Sequence, residues 1–200
     1  MLAAGAARRF GRAKQLERWP DPNSPTLVER ATRLAAECGV VQVLVVTGNR
    51  AEEVAALFSP PNILSYPVTI TTVHNPRWQE GQGFSVATAV KALPPACEAA
   101  LFFLADQPRL KLASAQALVQ AFEQSQTGRE KLILFPTYQG RRGNPVLFGR
   151  HYFPLLAALE GDTGGRTIIK AYPEAVQEIA LDDPTILEDV DTPEDLAALE

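Results

Sequence analysis

The run Ala99-Ala100-Leu101-Phe102-Phe103-Leu104-Ala105 is the most apolar short stretch of the chain, and it ends abruptly on Asp106-Gln107-Pro108. Such a run is too short for a typical helix and reads as a strand. Asp106 then stands at the strand's carboxyl end, which is where ligands collect in open parallel sheets.

Working outward from this strand, apolar clusters bounded by turn residues alternate with stretches of helical period. Upstream, Ser85 is placed to cap a helix carrying Val86, Ala89, Val90 and Leu93 on one face, ended by Pro94-Pro95. Ahead of it lie the glycine turn Gly81-Gln82-Gly83, an alternating strand over 68–74 that runs into Asn75-Pro76, and a short helix over 52–58 closed by Pro60-Pro61. The β-branched run over 40–47 reads as a buried strand. Before it, Val28, Ala31, Leu34, Ala35 and Cys38 recur at helical spacing up to Gly39. Downstream, Leu118, Val119 and Phe122 mark a helix, and strands over 132–135 and 146–148 enclose the polar turn 139–144. The last element starts at Thr192, with Pro193 at its first helical position and Glu194 and Asp195 against the helix dipole. This alternation predicts an α/β fold, with βα units around a mostly parallel sheet and residues 1–200 as one domain.

Composition narrows the function. The chain has 200 residues, 46% of them hydrophobic, with 19 basic against 23 acidic residues and a formal charge of −4. Lys and Arg are not gathered on one face, which argues against nucleic acid as a partner. Cys38 and Cys97 form no CxxC-like pair, so neither a zinc site nor a disulfide framework is expected and a cytoplasmic setting fits. No apolar run is long enough to span a bilayer, and no membrane partner is expected.

Five loops carry possible chemistry. Between Leu2 and Lys14, small residues Ala3, Ala4 and Gly5 let backbone N–H groups approach an anion, while Arg9 and Lys14 supply charge, so the segment reads as a triphosphate cradle or as a basic terminus. It departs from the P-loop spacing. Asp106 could hold Mg²⁺ together with substrate phosphates, or cap a helix. Asp189-Val190-Asp191, if extended, puts both carboxylates on one side. Arg141-Arg142-Gly143-Asn144-Pro145 and Gly161-Asp162-Thr163-Gly164-Gly165-Arg166 pair flexible backbone with guanidinium groups, as a phosphorylated acceptor requires and as surface hairpins also do. His74 and His151 lack a partner at ligand spacing, and Trp19 and Trp78 serve equally for packing or for stacking on a base.

Taken in this order, the segments resemble the MobA-like nucleotidyltransferase family, and within it the molybdenum cofactor cytidylyltransferase branch. Leu2-Ala3-Ala4-Gly5 with Arg9, Gly11 and Lys14 is similar to the family's nucleotide signature, and Asp106-Gln107-Pro108 to its metal motif. Asn75, Trp78, Gly81 and Ser85 resemble its next signature, Gly143-Asn144-Pro145 and 161–166 its acceptor loops, and Asp191-Thr192-Pro193-Glu194-Asp195 its closing motif.

The resemblance implies a Rossmann-like three-layer fold in which an acceptor phosphate attacks the α-phosphorus of a nucleoside triphosphate. It implies Arg9, Lys14 and Asp106 as catalytic residues, with Leu2, Ala3, Ala4, Gly5, Asn75 and Ser85 joining Arg9 and Lys14 around the nucleotide. It implies Asn144, Asp162 and Arg166 around the acceptor, and Asp106 and Asp191 on Mg²⁺. Ala4, where guanylyl-transferring relatives carry glycine, favours CTP, and a methyl there would crowd a purine. The implied acceptor is molybdopterin-like, and the implied protein partner a molybdoenzyme or its chaperone. Two departures accompany the resemblance. Met1 stands directly at the motif, so the first strand is expected to be cut short or the start to lie upstream, and Ala7 replaces a common serine. A glycosyltransferase using an Asp-x-Asp pair and a non-catalytic nucleotide-binding maturation factor are the rival readings.

Overall fold

In the computed structural model, which describes residues 1–5, 7, 9–60, 68–126 and 128–199, the run predicted over 40–47 folds as strand β2, Gln42–Thr47. Its side chains alternate between two cores. Val43 and Val45 enter one, and Val46 joins Ala4 and Ala89 in another. Parallel to it runs β3, Thr69–His74, in register from Gln42 opposite Thr69 to Thr47 opposite His74. On its other side lies β1, which is Leu2–Ala3 alone, with Leu2 opposite Val46.

Leu2 also bridges in parallel to Leu104. Its N–H donates to the Phe103 carbonyl at 2.9 Å, and the Ala105 N–H donates to the Leu2 carbonyl at 3.3 Å. This ties the first sheet to β4, Ala99–Phe102, which carries the apolar run. Beyond β4 come β7, Val146–Gly149, and β5, Ile133–Tyr138, each antiparallel to its predecessor, and then β8, Val176–Ala180, parallel to β5. A short β6, Arg141–Arg142, folds back on β5. Strands β1 to β5 and β8 therefore share one direction, and β6 and β7 oppose it.

Helices cover both faces. On one face, α1 (Leu27–Glu37), α2 (Ala51–Ala56) and α4 (Leu112–Gln124) bury Val28, Ala35, Val54 and Ala115 against the sheet. Farther along that face, Leu118 and Phe122 meet Leu134 and Leu147. On the opposite face, α3 (Gln82–Lys91), α5 (Phe153–Ala157) and α6 (Arg166–Ala171) place Val86, Val90, Leu156 and Ile168 on Ile133 and Phe148. Each such fully buried aliphatic side chain contributes about 1.5–3 kcal/mol by leaving water. The arrangement is the three-layer α/β sandwich expected.

Helix ends follow local chemistry. At α1, Thr26 Oγ1 accepts from the Glu29 N–H at 3.3 Å, and the Glu29 carboxylate accepts from the Thr26 N–H at 2.8 Å. The closing helix α7, Pro193–Ala197, starts on the same reciprocal pattern between Thr192 and Asp195. Ser85 does not cap α3: the helix begins at Gln82 after Gly81, and Ser85 is buried inside it. Helices α5 and α6 and strand β8 were absent from the sequence reading. Both cysteines are free, and no helix of the described residues is long and apolar enough to cross a membrane.

Candidate active site

The loops after β1, β2, β3 and β4 meet at the sheet's carboxyl edge, and glycines permit their approach. A Cβ added to Gly48, just after β2, would lie 2.5 Å from Trp78 Cβ and 2.8 Å from Ala4 Cβ. Gly81 has φ of 128°, and a Cβ there would lie 2.1 Å from the Gly161 carbonyl carbon. The Gly83 N–H donates to the Gly161 carbonyl at 2.8 Å. The start of α3 is thereby docked on the 161–166 loop.

Lys14, in a single 3₁₀ turn, reaches across to residues remote in sequence. Its Nζ donates to Asp106 Oδ2 at 2.7 Å, to the Val190 carbonyl at 2.7 Å and to Asp191 Oδ1 at 3.4 Å. Arg9 pairs with the other oxygen of Asp191 at 2.7 Å. The Val190 N–H donates to the Asp106 carbonyl at 2.9 Å, and Val190 is buried, so main chain fixes the acidic segment beside Asp106. Burial, together with the charges of Asp106 and Asp191, pushes the Asp189 carboxyl above its ordinary range.

One atom is left over. Asp106 Oδ1 is buried and has no hydrogen-bond partner among the described residues. Such an orphaned carboxylate oxygen costs free energy and suits a hard divalent cation. Among the described residues no three His, Cys, Asp or Glu side chains gather as a complete cage. A cation on Asp106 and Asp191 would complete its shell with phosphate oxygens and water, as Mg²⁺ commonly does.

Two adjoining cavities of about 350 Å³ each open at this edge. Leu2, Ala3, Ala4, Gly5, Lys14, Ser85 and Asp106 all line the first. Asn144 and Arg166 line the second, and Leu2, Gln82, Leu104 and Asp162 belong to both. Arg9 and Asp191 lie outside the linings and join the site through their ion pair with each other and through Lys14.

Asn75 differs from expectation. It is 1% exposed, outside both linings, with Nδ2 donating to Ser85 Oγ at 3.0 Å and Oδ1 accepting from the Arg77 N–H at 2.9 Å. Its amide is committed to holding Ser85 and the turn after β3. Ala4 is also buried, beside Val46, Ala89 and Trp78, so its methyl does not project freely toward a base. Trp78, left open between packing and stacking, lines the first cavity. Gln15, Gln82 and Arg142 were not singled out as ligands. Arg142 lay in a flagged segment, whereas Gln15 and Gln82 carried no charge or spacing that marks a site.

Residues 1–176 match the family described as MobA-like NTP transferase domain. The nicotine blue oxidoreductase of Paenarthrobacter nicotinovorans is 30% identical, covering 100% of this chain and 94% of that protein. The molybdenum cofactor cytidylyltransferase of Escherichia coli K12 is 25% identical, covering 98% and 91%. Among solved structures, Rv0371c of Mycobacterium tuberculosis H37Rv in complex with manganese superposes with a TM-score of 0.73 at 26% identity, covering 99% of this chain and 94% of that one.

Proposed function

The chain belongs to the MobA-like NTP transferase family, and from that membership we infer that it transfers a nucleoside monophosphate from a triphosphate to a phosphorylated acceptor. The observation that carries this reading is the meeting of Lys14 with Asp106 at 2.7 Å, on the wall of a cavity that Leu2 to Gly5 also line, and with Asp191 at 3.4 Å just outside that lining. An acceptor phosphate oxygen forms a bond to the α-phosphorus, and the bond from that phosphorus to the bridging oxygen breaks, releasing pyrophosphate. An anion must approach a polyanion, so charge neutralisation dominates the barrier.

In this reading Arg9 and Lys14 neutralise the triphosphate and the departing pyrophosphate. Main-chain N–H groups from Ala3 to Gly5 and the Ser85 hydroxyl hold the nucleotide, and Asn75 orients Ser85 from behind. Asn144, Asp162 and Arg166 face the acceptor. Asp106, through its unpartnered Oδ1, and Asp191 would hold Mg²⁺ or Mn²⁺, which supplies Lewis-acid screening of phosphate oxygens. A phosphate nucleophile is already ionised, so no general base is assigned.

CTP is the proposed donor and a molybdopterin-type phosphomonoester the proposed acceptor, with a molybdoenzyme or its chaperone receiving the product. The E. coli relative named for that reaction and the alanine at position 4 support this choice. Because the Ala4 methyl is buried, discrimination by this residue would act through the position of main chain and Trp78 rather than by direct contact.

The test is pyrophosphate release with Mg²⁺, each of the four nucleoside triphosphates and the acceptor. Release with CTP is expected, and Asp106→Asn should lower it at least about 100-fold while the far-UV circular dichroism is kept. Release with no triphosphate overturns the reading. Nucleoside diphosphate released from a sugar nucleotide would support glycosyl transfer instead, and triphosphate binding without turnover a maturation factor. The identity to nicotine blue oxidoreductase supports a redox alternative, which oxidation of a reduced nicotinamide or flavin donor by the protein would reveal.

A further inference from the structure

The two cavities of the candidate site share Leu2, Gln82, Leu104 and Asp162. A phosphorus atom passing from triphosphate to acceptor crosses that junction. Leu2 and Leu104 offer it no polar side-chain group, and the Asp162 carboxylate repels it. Among the described residues Gln82 is thus the one side-chain donor common to both walls. It is exposed, and its amide has no hydrogen-bond partner among those residues. A Cβ added to Gly164 would lie 3.2 Å from Gln82 Oε1 and 3.8 Å from Cδ, with Nε2 beyond 4 Å. The missing side chain of Gly164 therefore makes room for the amide. Its oxygen end is toward Gly164, a residue of the second cavity alone, and its N–H end is left for the junction. The main chain beneath is fixed, because Gln82 opens α3 and the Gly83 N–H donates to the Gly161 carbonyl at 2.8 Å. No side chain caps α3, and the positive end of its dipole lies at the same residue.

We propose that Gln82 is a catalytic residue of the transfer, its Nε2 donating to a non-bridging oxygen of the α-phosphate and holding the phosphorus between the leaving pyrophosphate and the attacking acceptor. The assignment rests on the nucleotidyl-transfer reading for the reaction, while the contact itself is a matter of binding. As the acceptor oxygen bonds to phosphorus and the bond to pyrophosphate breaks, negative charge stays on the non-bridging oxygens. A donor already in place stabilises that charge, and the amide neither takes nor gives a proton. A carboxylate of the same shape would add repulsion to a reaction between two anions. The amide is thereby the neutral counterpart of Asp162 on the shared wall.

The test compares Gln82→Met, which keeps the length and removes the donor, with Gln82→Glu, which keeps the shape and puts an anion in its place. Both replacements are good helix formers, and an acid in the first turn favours the dipole, so the thermal midpoint should be unchanged or raised. In pyrophosphate release from CTP, kcat should fall at least about tenfold in Gln82→Met and further in Gln82→Glu, with the KM for CTP changed less than about threefold. The contact is read apart from the fold with the two diastereomers of CTP that carry sulfur on the α-phosphorus, since sulfur is the weaker acceptor. Their rate ratio should narrow about threefold or more in Gln82→Met, which a merely structural role would not produce. A kcat within about threefold of the unmodified protein, or an unchanged ratio, overturns the assignment. Release of pyrophosphate from no triphosphate by the unmodified protein fails the nucleotidyl-transfer reading by itself, and the two diastereomers are then compared by affinity in the presence of Mn²⁺. A difference that narrows in Gln82→Met keeps the contact, and no binding or no narrowing overturns it.

Discussion

Lys14 holds Asp106, Asp191 and the Val190 carbonyl, yet it is also the cation assigned to the triphosphate. An ammonium occupying the carboxylates competes with a divalent ion, and entry of metal and polyphosphate would hand the lysine from carboxylate to phosphate. Lys14→Met should therefore bind Mn²⁺ more tightly, by about threefold or more in the absence of nucleotide, and CTP at least about tenfold more weakly. Calorimetric titration with each ligand checks both, and a loss of Mn²⁺ affinity would contradict the exchange. At this scale the sequence was informative where charge was concerned. Lys14, Asp106 and Asp191 were each ambiguous alone, as a basic terminus, a helix cap and a turn, and were singled out together by the resemblance of their segments to the family's motifs. Asn75 and Ser85 were legible as a pair of positions, but not as partners of one another, since a buried amide–hydroxyl contact leaves no spacing signal.

Among the elements, α4 is tied to the turn after β8 by Asp183. This carboxylate is 4% exposed and accepts from Ser114 Oγ at 2.5 Å and Thr185 Oγ1 at 2.8 Å, with Lys111 Nζ 3.2 Å away. Burial pushes its proton affinity up, but the bonds from Ser114, Thr185 and Lys111 together outweigh it and leave the group below its ordinary 3.8. A depressed carboxyl contributes stability that is present above the unfolded value and is lost as pH falls through the folded one. Asp183→Asn should cost about 1–3 kcal/mol at pH 7 in denaturant unfolding. The penalty should shrink as pH falls below 3.8, where the unfolded chain takes up the proton first, and should level off once the native carboxyl is protonated at its lower value; a pH-independent penalty would refute the linkage. Strong periodicity made α1, β2 and α4 readable. Strand β8 was not, because it lies at the sheet margin with no buried residue and no regular alternation of exposure, and α5 and α6 are too short to complete a helical pattern. The start of α3 was misread at Ser85 because the true boundary is Gly81, whose φ of 128° is a main-chain feature.

For the whole molecule, the parallel class followed from alternating helix and strand patterns, but the antiparallel β7 between β4 and β5 did not. Strand order depends on contacts far apart in sequence, and nothing local specifies it. The two-residue β1 joins β2 to the end of β4, and both helical layers close over it. We propose that residues 1–200 form one cooperative domain. A single thermal transition seen alike by far-UV and near-UV circular dichroism is expected, rising with CTP and Mg²⁺ by mass action; separate transitions would divide the chain. The convergence of a basic turn and two distant acids on one metal-bound polyphosphate is tested most directly by anomalous diffraction at the manganese edge, from crystals soaked with Mn²⁺ and a non-hydrolysable CTP analogue. A manganese peak within ligating distance of Asp106 and Asp191, with Lys14 turned to the phosphates, is predicted. A peak elsewhere, or Lys14 still on the carboxylates beside a bound triphosphate, would contradict it.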